Sequence, residues 1–309
     1  MFSSVRSIPD VVDVLELGGG DGPALVIEVP HGATGDWEFN VVASQLRGAV
    51  PDDLIAFFHV NTDAGAAELG LAIGQRVLAA GLDLALESGL ESGPVFRRVL
   101  IVRCRVPRTF VDCNRVLGAS GAAYRAGGVT PGMAPWITDE ADHDALLARY
   151  VAYQAVAQAA IDGACASGGR ALLLHTYAPR SVDVQVSLDI VRDLRAAYAN
   201  LEQWPLRPEI DVIHRDPDGV ATLTPAGLAA LGVALTAAGY IYAEGETYPL
   251  HPVTMAHAHV TRHPGQVACL EVRRDLLTAH FVPFRQVQVD PLRVSRVAAP
   301  LARWLRSAW

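Results

Sequence analysis

Residues 24–32 read A-L-V-I-E-V-P-H-G, and the fold is decided by how this stretch is read. Leu25, Val26, Ile27 and Val29 form a short, mostly β-branched apolar run, the pattern of a buried strand. A G-G-G-D-G turn at 18–22 precedes it, and Pro30, His31 and Gly32 end it. Ligands of open α/β sheets sit outside the carboxyl ends of strands. His31 stands at such an end, beside a glycine that lets backbone or ligand approach closely. A lone histidine is more often structural than a ligand, so its meaning depends on partners elsewhere in the chain.

The composition narrows the field. The 309 residues are 51% hydrophobic and 19% charged, enough for a sizeable core. There is no repeat, low-complexity linker or break in composition, so residues 1–309 are expected to form a single domain. The net charge is −8 with no basic run, which argues against a nucleic-acid partner. Every cation is Arg; the absence of Lys excludes a Schiff-base lysine, a P-loop lysine and a Ser-Lys dyad. Cys104, Cys113, Cys165 and Cys269 lack C-x-x-C spacing and read as buried, reduced thiols. The N-terminus has no apolar core of a signal peptide. The Ala-rich stretches at 151–174 and 221–243 are broken by Asp, Gly or Pro, so no membrane span is expected. A cytoplasmic protein is the default expectation.

Strands and helices alternate along the chain. Val11–Leu17 and Leu25–Val29 are expected to be a hairpin or neighbouring strands, and Asp36–Leu46 a surface helix. Ile55–Val60 reads as a further strand, followed by a helix from Ala64 to Ala80 with Thr62 or Asp63 as its N-cap. Val99–Arg105 and Arg170–His175 read as strands, 116–138 as a long loop and Asp139–Gly163 as a long helix. Thr224 and Pro225 open a helix to Ala238, Tyr240–Ala243 is a short strand, Gln266–Arg273 a strand and Pro291–Trp309 a terminal helix. Such alternation predicts an α/β sandwich.

Three features fall at expected strand ends: His31, His175 and the His59–Asp63 turn. Two imidazoles and a carboxylate with a fourth position open form a catalytic zinc site. Asp63 is the third ligand on this reading, Glu38 is its rival, and His59 supports from behind. Glu271 lies in the apolar run V-A-C-L-E-V, where a carboxylate is costly unless paired or functional. It is either a general base or the partner of Arg273 or Arg262. Arg105, Arg108, Asn114 and Arg115 form either a carboxylate-binding cluster or a face paired with Asp112. His257 and His259 alternate as in a strand and read as metal-binding or as a polar wall with Arg262 and His263.

Six segments then fall into a familiar order: P-H-G at 30–32, H-V-N-T-D-A-G-A at 59–66, R-T-F-V-D-C-N-R at 108–115, L-H-T-Y-A-P at 174–179, H-V-T-R at 259–262 and L-E-V at 270–272. Their order resembles that of the N-formylglutamate amidohydrolase family, over roughly residues 25–275. The resemblance implies a three-layer α/β/α sandwich with a mixed central sheet, like that of zinc carboxypeptidases and aspartoacylases. It implies one Zn2+ on His31, Asp63 and His175, Glu271 as general base and Arg108 at the substrate carbonyl. It further implies Asn114 and Arg115 as a carboxylate clamp, with His259 and Arg262 also at the substrate. The expected reaction is hydrolysis of the amide bond of a small N-formyl or N-acyl amino acid. A metallocarboxypeptidase or peptide amidase on the same site is the alternative, and a metal-free small-acid binding protein the rival from another class.

Overall fold

The computed structural model describes residue 2, residues 5–84 and residues 94–307. Residues 1, 3 and 4 of the N-terminal segment, and 308 and 309 at the end of the expected terminal helix, lie outside the described residues. Among the described residues seven strands form one sheet: β1 (Val12–Gly18), β2 (Ala24–Val29), β3 (Arg98–Cys104), β4 (Arg170–Tyr177), β5 (Ile210–Val212), β6 (Tyr242–Glu244) and β7 (Val267–Arg273). Their order is β1-β3-β2-β4-β7-β5-β6. The central four, β3, β2, β4 and β7, are parallel, while β1 and β5 join antiparallel at either side. The sheet is therefore mixed, as expected.

Burial explains this order. All six residues of β2 are buried, as the apolar run at 24–29 requires, and strands buried on both faces belong at the centre of a parallel sheet. Strand β1 is half exposed and takes the edge. It pairs with β3 rather than β2, so the expected neighbouring pair at 11–29 is corrected: β3 lies between them.

Period-two alternation sorts the central strands onto two cores. Leu25 and Ile27 of β2, Leu172 and Leu174 of β4, and Leu270 and Val272 of β7 face one side. There they meet α3 (Ala66–Leu84), α7 (Pro225–Ala237) and α9 (Pro291–Arg306). Val26, Leu173 and Cys269 face the other, against α1 (Asp36–Ala43), α2 (Leu54–Asn61), α5 (Glu140–Ala166), α6 (Ile190–Tyr198) and α8 (Met255–Arg262). The result is helix, sheet and helix in three layers. The remaining short helix, α4 (Gly121–Ala126), interrupts the expected loop at 116–138.

Two elements differ in kind from their sequence reading. Residues 54–61 are helix α2, with Phe57, Phe58, His59 and Val60 all buried. A run apolar on every side has no period to separate strand from helix. Residues 255–262 are helix α8, opened by Thr254, whose hydroxyl accepts from the His257 amide at 3.2 Å. His257 and His259 therefore do not share a face. Asp139 opens α5, and Thr224 with Pro225 opens α7 as expected, whereas neither Thr62 nor Asp63 caps α3, which begins at Ala66 while their side chains bond Ala33 and the two histidines. All four cysteines are free and buried.

One glycine sets how closely β4 enters the sheet. A Cβ on Gly169 would stand 2.0 Å from the Ala24 carbonyl oxygen and 2.7 Å from its nitrogen, rigid backbone atoms of β2. Gly169→Ala is expected to lower stability by roughly 1–3 kcal/mol, the cost of forcing atoms into a packed core. Urea unfolding measures it as a lower midpoint at unchanged slope. An unchanged midpoint would show that the strands separate there at no cost.

Candidate metal centre

The carboxyl ends of β2, β3, β4 and β7 lie along one edge of the sheet, and the candidate groups gather there. His31 follows β2. A Cβ on Gly32 would meet the Arg103 side chain at 2.5 Å and the Cys104 carbonyl oxygen at 3.0 Å, so the turn lies tight against β3. Asp63 lies between α2 and α3. Its amide donates to the His31 carbonyl at 3.3 Å, and the Thr62 hydroxyl donates to the Ala33 carbonyl, which ties the two turns together. His175 is in register with Glu271 on the neighbouring strand, and both face the α5 side of the sheet.

His31, Asp63 and His175 are the one group among the described residues whose donor atoms could share a metal ion. The three are almost fully buried. Asp63 Oδ2 lies 3.1 Å from His31 Nδ1 and 3.0 Å from His175 Nδ1. His31 Nε2 lies 2.7 Å from Asp112 Oδ1, an acceptor, so this nitrogen carries the proton and donates. A neutral His31 thus turns the Nδ1 lone pair toward the Asp63 carboxylate. Two lone pairs facing each other in a dry site require a proton or a cation between them. Burial raises the Asp63 pKa, but the charges and hydrogen bonds of His31 and His175 outweigh it and hold the carboxyl well below its usual range. Burial lowers the His175 pKa, but the Asp63 bond, with help from Cys269, raises it above the usual imidazole value. An ionised carboxylate between two imidazoles, one braced from behind by a second carboxylate, fits the donor set of a divalent metal.

Asp112 is the hub behind the centre. Its other oxygen lies 2.8 Å from Arg108 Nη2 and 3.3 Å from Arg115 Nη2. Burial raises its pKa, and Arg108, Arg115 and His31 together drive it well below the usual value. The cationic segment at 108–115 is therefore paired with Asp112 and also lines the cavity beside the histidines. Asn114 Oδ1 accepts from the Ala256 amide at 3.0 Å. Arg115 donates to the Thr130 and Asn114 carbonyls at 3.0 and 3.1 Å. The expected clamp residues are thus already engaged with protein atoms.

Other expected residues lie elsewhere. Glu38 accepts from the amides of Thr34 and Gly35 and binds Arg103 and Arg105, so the rival third ligand is committed away from the histidines. Arg105 also bridges to Asp13, which removes it from the carboxylate-binding cluster. His59 is buried beside Asp36, 3.2 Å from its carboxylate, and does not line the cavity. His259 is buried with neither ring nitrogen partnered, and burial brings its pKa down to about 4. Arg262 is 56% exposed and reaches toward Asp162. Neither His259 nor Arg262 lines the cavity, because helix α8 packs on β7 and turns them away from the edge where His31 and His175 stand.

The cavity has a volume of 240 Å³. On one side lie His31, Asp63, His175 and Glu271; Val182, Val184 and Val186 alternate along another wall, with Asp183 and Gln185 turned outward. Glu271 Oε2 is buried without a partner. Its two proposed partners are occupied elsewhere, Arg273 with Asp275 at 2.8 Å and Arg262 near Asp162. Burial raises its pKa above the usual carboxylate value. Sequence reading missed several polar groups that also line the cavity, Arg180, Arg207, Arg274 and Tyr248 among them. The doublet R-R at 273–274, directly after the strand that carries Glu271, was a signal for one of them.

Fold and site together define a mixed-sheet α/β sandwich with a candidate metal centre at the carboxyl edge of its parallel strands. Its fold is similar to that of an N-formylglutamate amidohydrolase from Ralstonia eutropha JMP134, with 16% identity and a TM-score of 0.59 over 94% of this chain and 95% of that one. It is also similar to a gene product of Agrobacterium tumefaciens, with 16% identity and a TM-score of 0.51 over 97% and 96% of the two chains. No family model and no curated protein matches the sequence. Among the described residues no helix is long and apolar enough to cross a membrane.

Proposed function

We propose that the chain is a metal-dependent hydrolase of the N-formylglutamate amidohydrolase type, cleaving the amide bond of a small N-formyl or N-acyl amino acid. One observation carries the reading: His31, Asp63 and His175 converge in a cavity that also holds the unpartnered carboxylate of Glu271. A zinc ion held by the three would supply a Lewis acid for the amide carbonyl and lower the pKa of a water. Glu271 takes the proton of the attacking water and returns it to the departing amine, a role helped by the burial that raises its pKa. Asp112 fixes the tautomer of His31 through Nε2. Arg108, whose Nη1 lies 3.8 Å from Asp63 Oδ1, is placed to stabilise charge developing on the carbonyl oxygen. The structural likeness to an N-formylglutamate amidohydrolase and the six ordered segments support the same chemistry. The valine wall gives an apolar part of the substrate a dry surface.

The test is release of free amine from a panel of N-formyl and N-acyl amino acids by protein loaded with Zn2+. Turnover that disappears with a chelator and returns with metal is expected. Tight metal binding with no hydrolysis of any member would refute the amidase reading, and turnover confined to peptides would favour the carboxypeptidase.

A further inference from the structure

Four of the arginines lining the cavity bear on where an acid would bind, and they fall into two classes. Arg108 and Arg115 share Asp112. Arg207 and Arg274 have no carboxylate within ion-pair distance among the described residues, and feel Glu271 and Asp63 only from further off. Arg274 is 3% exposed; its Nη1 donates to the Val60 carbonyl at 2.8 Å, and its Nε is buried without a partner. Arg207 donates through Nη2 to the Tyr248 hydroxyl at 2.9 Å and stacks against Tyr177 and Tyr248, and its Nε is likewise buried and unpartnered. Arg273 ties the two segments together: its side-chain Nη1 donates to the Arg207 carbonyl at 2.9 Å, and its amide to the Glu209 carbonyl.

A buried guanidinium without a counter-charge is costly unless an anion completes it. Arg274 is buried and Arg207 half-buried on the wall of the cavity that also holds the candidate metal centre, and each feels a site carboxylate, Asp63 or Glu271, only from beyond ion-pair distance. We propose that Arg207 and Arg274, not Asn114 and Arg115, form the subsite that receives the substrate's carboxylate, an inference that rests on the amidase reading for the identity of that acid. A carboxylate accepts from several N–H donors at once, and Arg207 and Arg274 line the cavity with a buried Nε that lacks a partner and with no ion pair on their remaining N–H groups. Tyr177 and Tyr248 hold the plane of Arg207, which keeps the fork oriented before the ligand arrives. Asn114 and Arg115 then act as a scaffold that positions Asp112 and His175.

The test compares N-formyl-L-leucine with its C-terminal carboxamide, which has the same shape and no charge. Calorimetry on the unsubstituted protein should show the acid binding at least tenfold more tightly. Arg207→Gln and Arg274→Gln should each erase that preference, raising KM for the acid at least tenfold while leaving the carboxamide within about twofold. Melting temperatures should fall by no more than the loss of the Val60 and Tyr248 bonds, and the loss confined to the acid, which a merely structural role would not give, tells the two apart. Arg207→Lys guards against misfolding of the glutamine variants: it keeps the charge, loses the fork and should give an intermediate loss. An acid that binds no better than its carboxamide overturns the proposal. So does an acid preference that survives both glutamine variants and is lost in Arg115→Lys. An equal fall on both compounds also overturns it and makes these residues stabilisers of the carbonyl. If no amide is hydrolysed yet the acid still binds through Arg207 and Arg274, the amidase reading fails and the subsite stands.

Discussion

Glu271→Gln lowers kcat by roughly 10²–10⁴-fold, the usual contribution of a general base, and leaves metal uptake intact. The substitution keeps shape and hydrogen-bonding capacity and removes only the ability to accept a proton. The expectation rests on geometry. Glu271 is in register with His175, shares the cavity with it, and has one carboxylate oxygen with no partner. Burial raises its pKa above the ordinary glutamate value of about 4.3. A raised pKa means that the basic form is lost at a higher pH than usual as acid is added. The acidic limb of the kcat/KM profile should therefore lie above the ordinary carboxylate range and vanish in Glu271→Gln. Near-normal turnover with an unchanged profile would remove Glu271 from the chemistry. Its burial would then be a matter of structure alone, with a stability loss on substitution to match.

The sheet was legible in the sequence where burial is strongest. Residues 24–29, 170–177 and 267–273 carry near-continuous apolar runs that end in turn residues or a functional group, and all three are central strands. The strand ends then placed His31 and His175 together without any compact motif. What the sequence hid has two physical causes. Residues 54–61 and 255–262 lack a diagnostic period: one is apolar on every side, and the other alternates His with Ala, which suits a helix as well as a strand. The consequence for the site is that Asp63 follows a helix, while His259 and Arg262 belong to a helix whose functional-looking residues turn away from the cavity. The second cause is pairing across the fold. Nothing local distinguishes Asp112, which braces His31 from 81 residues away, from a surface partner of Arg108. Nor does the sequence show that Arg207 and Arg274, 67 positions apart, reach one wall. Glu28 was hidden in the same way. It is buried, feels the charges of both histidines, accepts a hydrogen bond from Tyr153 of α5, and has its pKa raised by burial.

His31→Ala and His175→Ala are each expected to abolish stoichiometric uptake of Zn2+ by chelator-stripped protein, read by elemental analysis and by calorimetric titration. Three ligands are the minimum for a catalytic zinc site, and removal of one imidazole leaves an incomplete set. Asp112→Asn separates the ligands from their support. It retains an oxygen for His31 Nε2 but not the charge that strengthens His31 as a ligand. Metal affinity should fall roughly 10–100-fold, the range for loss of a group that orients a ligand. The same change leaves Arg108 and Arg115 without their shared carboxylate. Breaking a buried ion pair from one side costs about 3–5 kcal/mol, so the variant should also melt lower in chelator. His175→Ala, which leaves all three partners of Asp112 in place, should melt closer to the unsubstituted protein when no metal is present. Added Zn2+ should raise the melting temperature of the unsubstituted protein, because it binds the folded state alone. It should do so less for Asp112→Asn and not at all for either alanine variant. Full metal content in both alanine variants would show that the ion is held elsewhere. With Glu38 already bound to Arg103 and Arg105, no other cluster of donors among the described residues is arranged to take it.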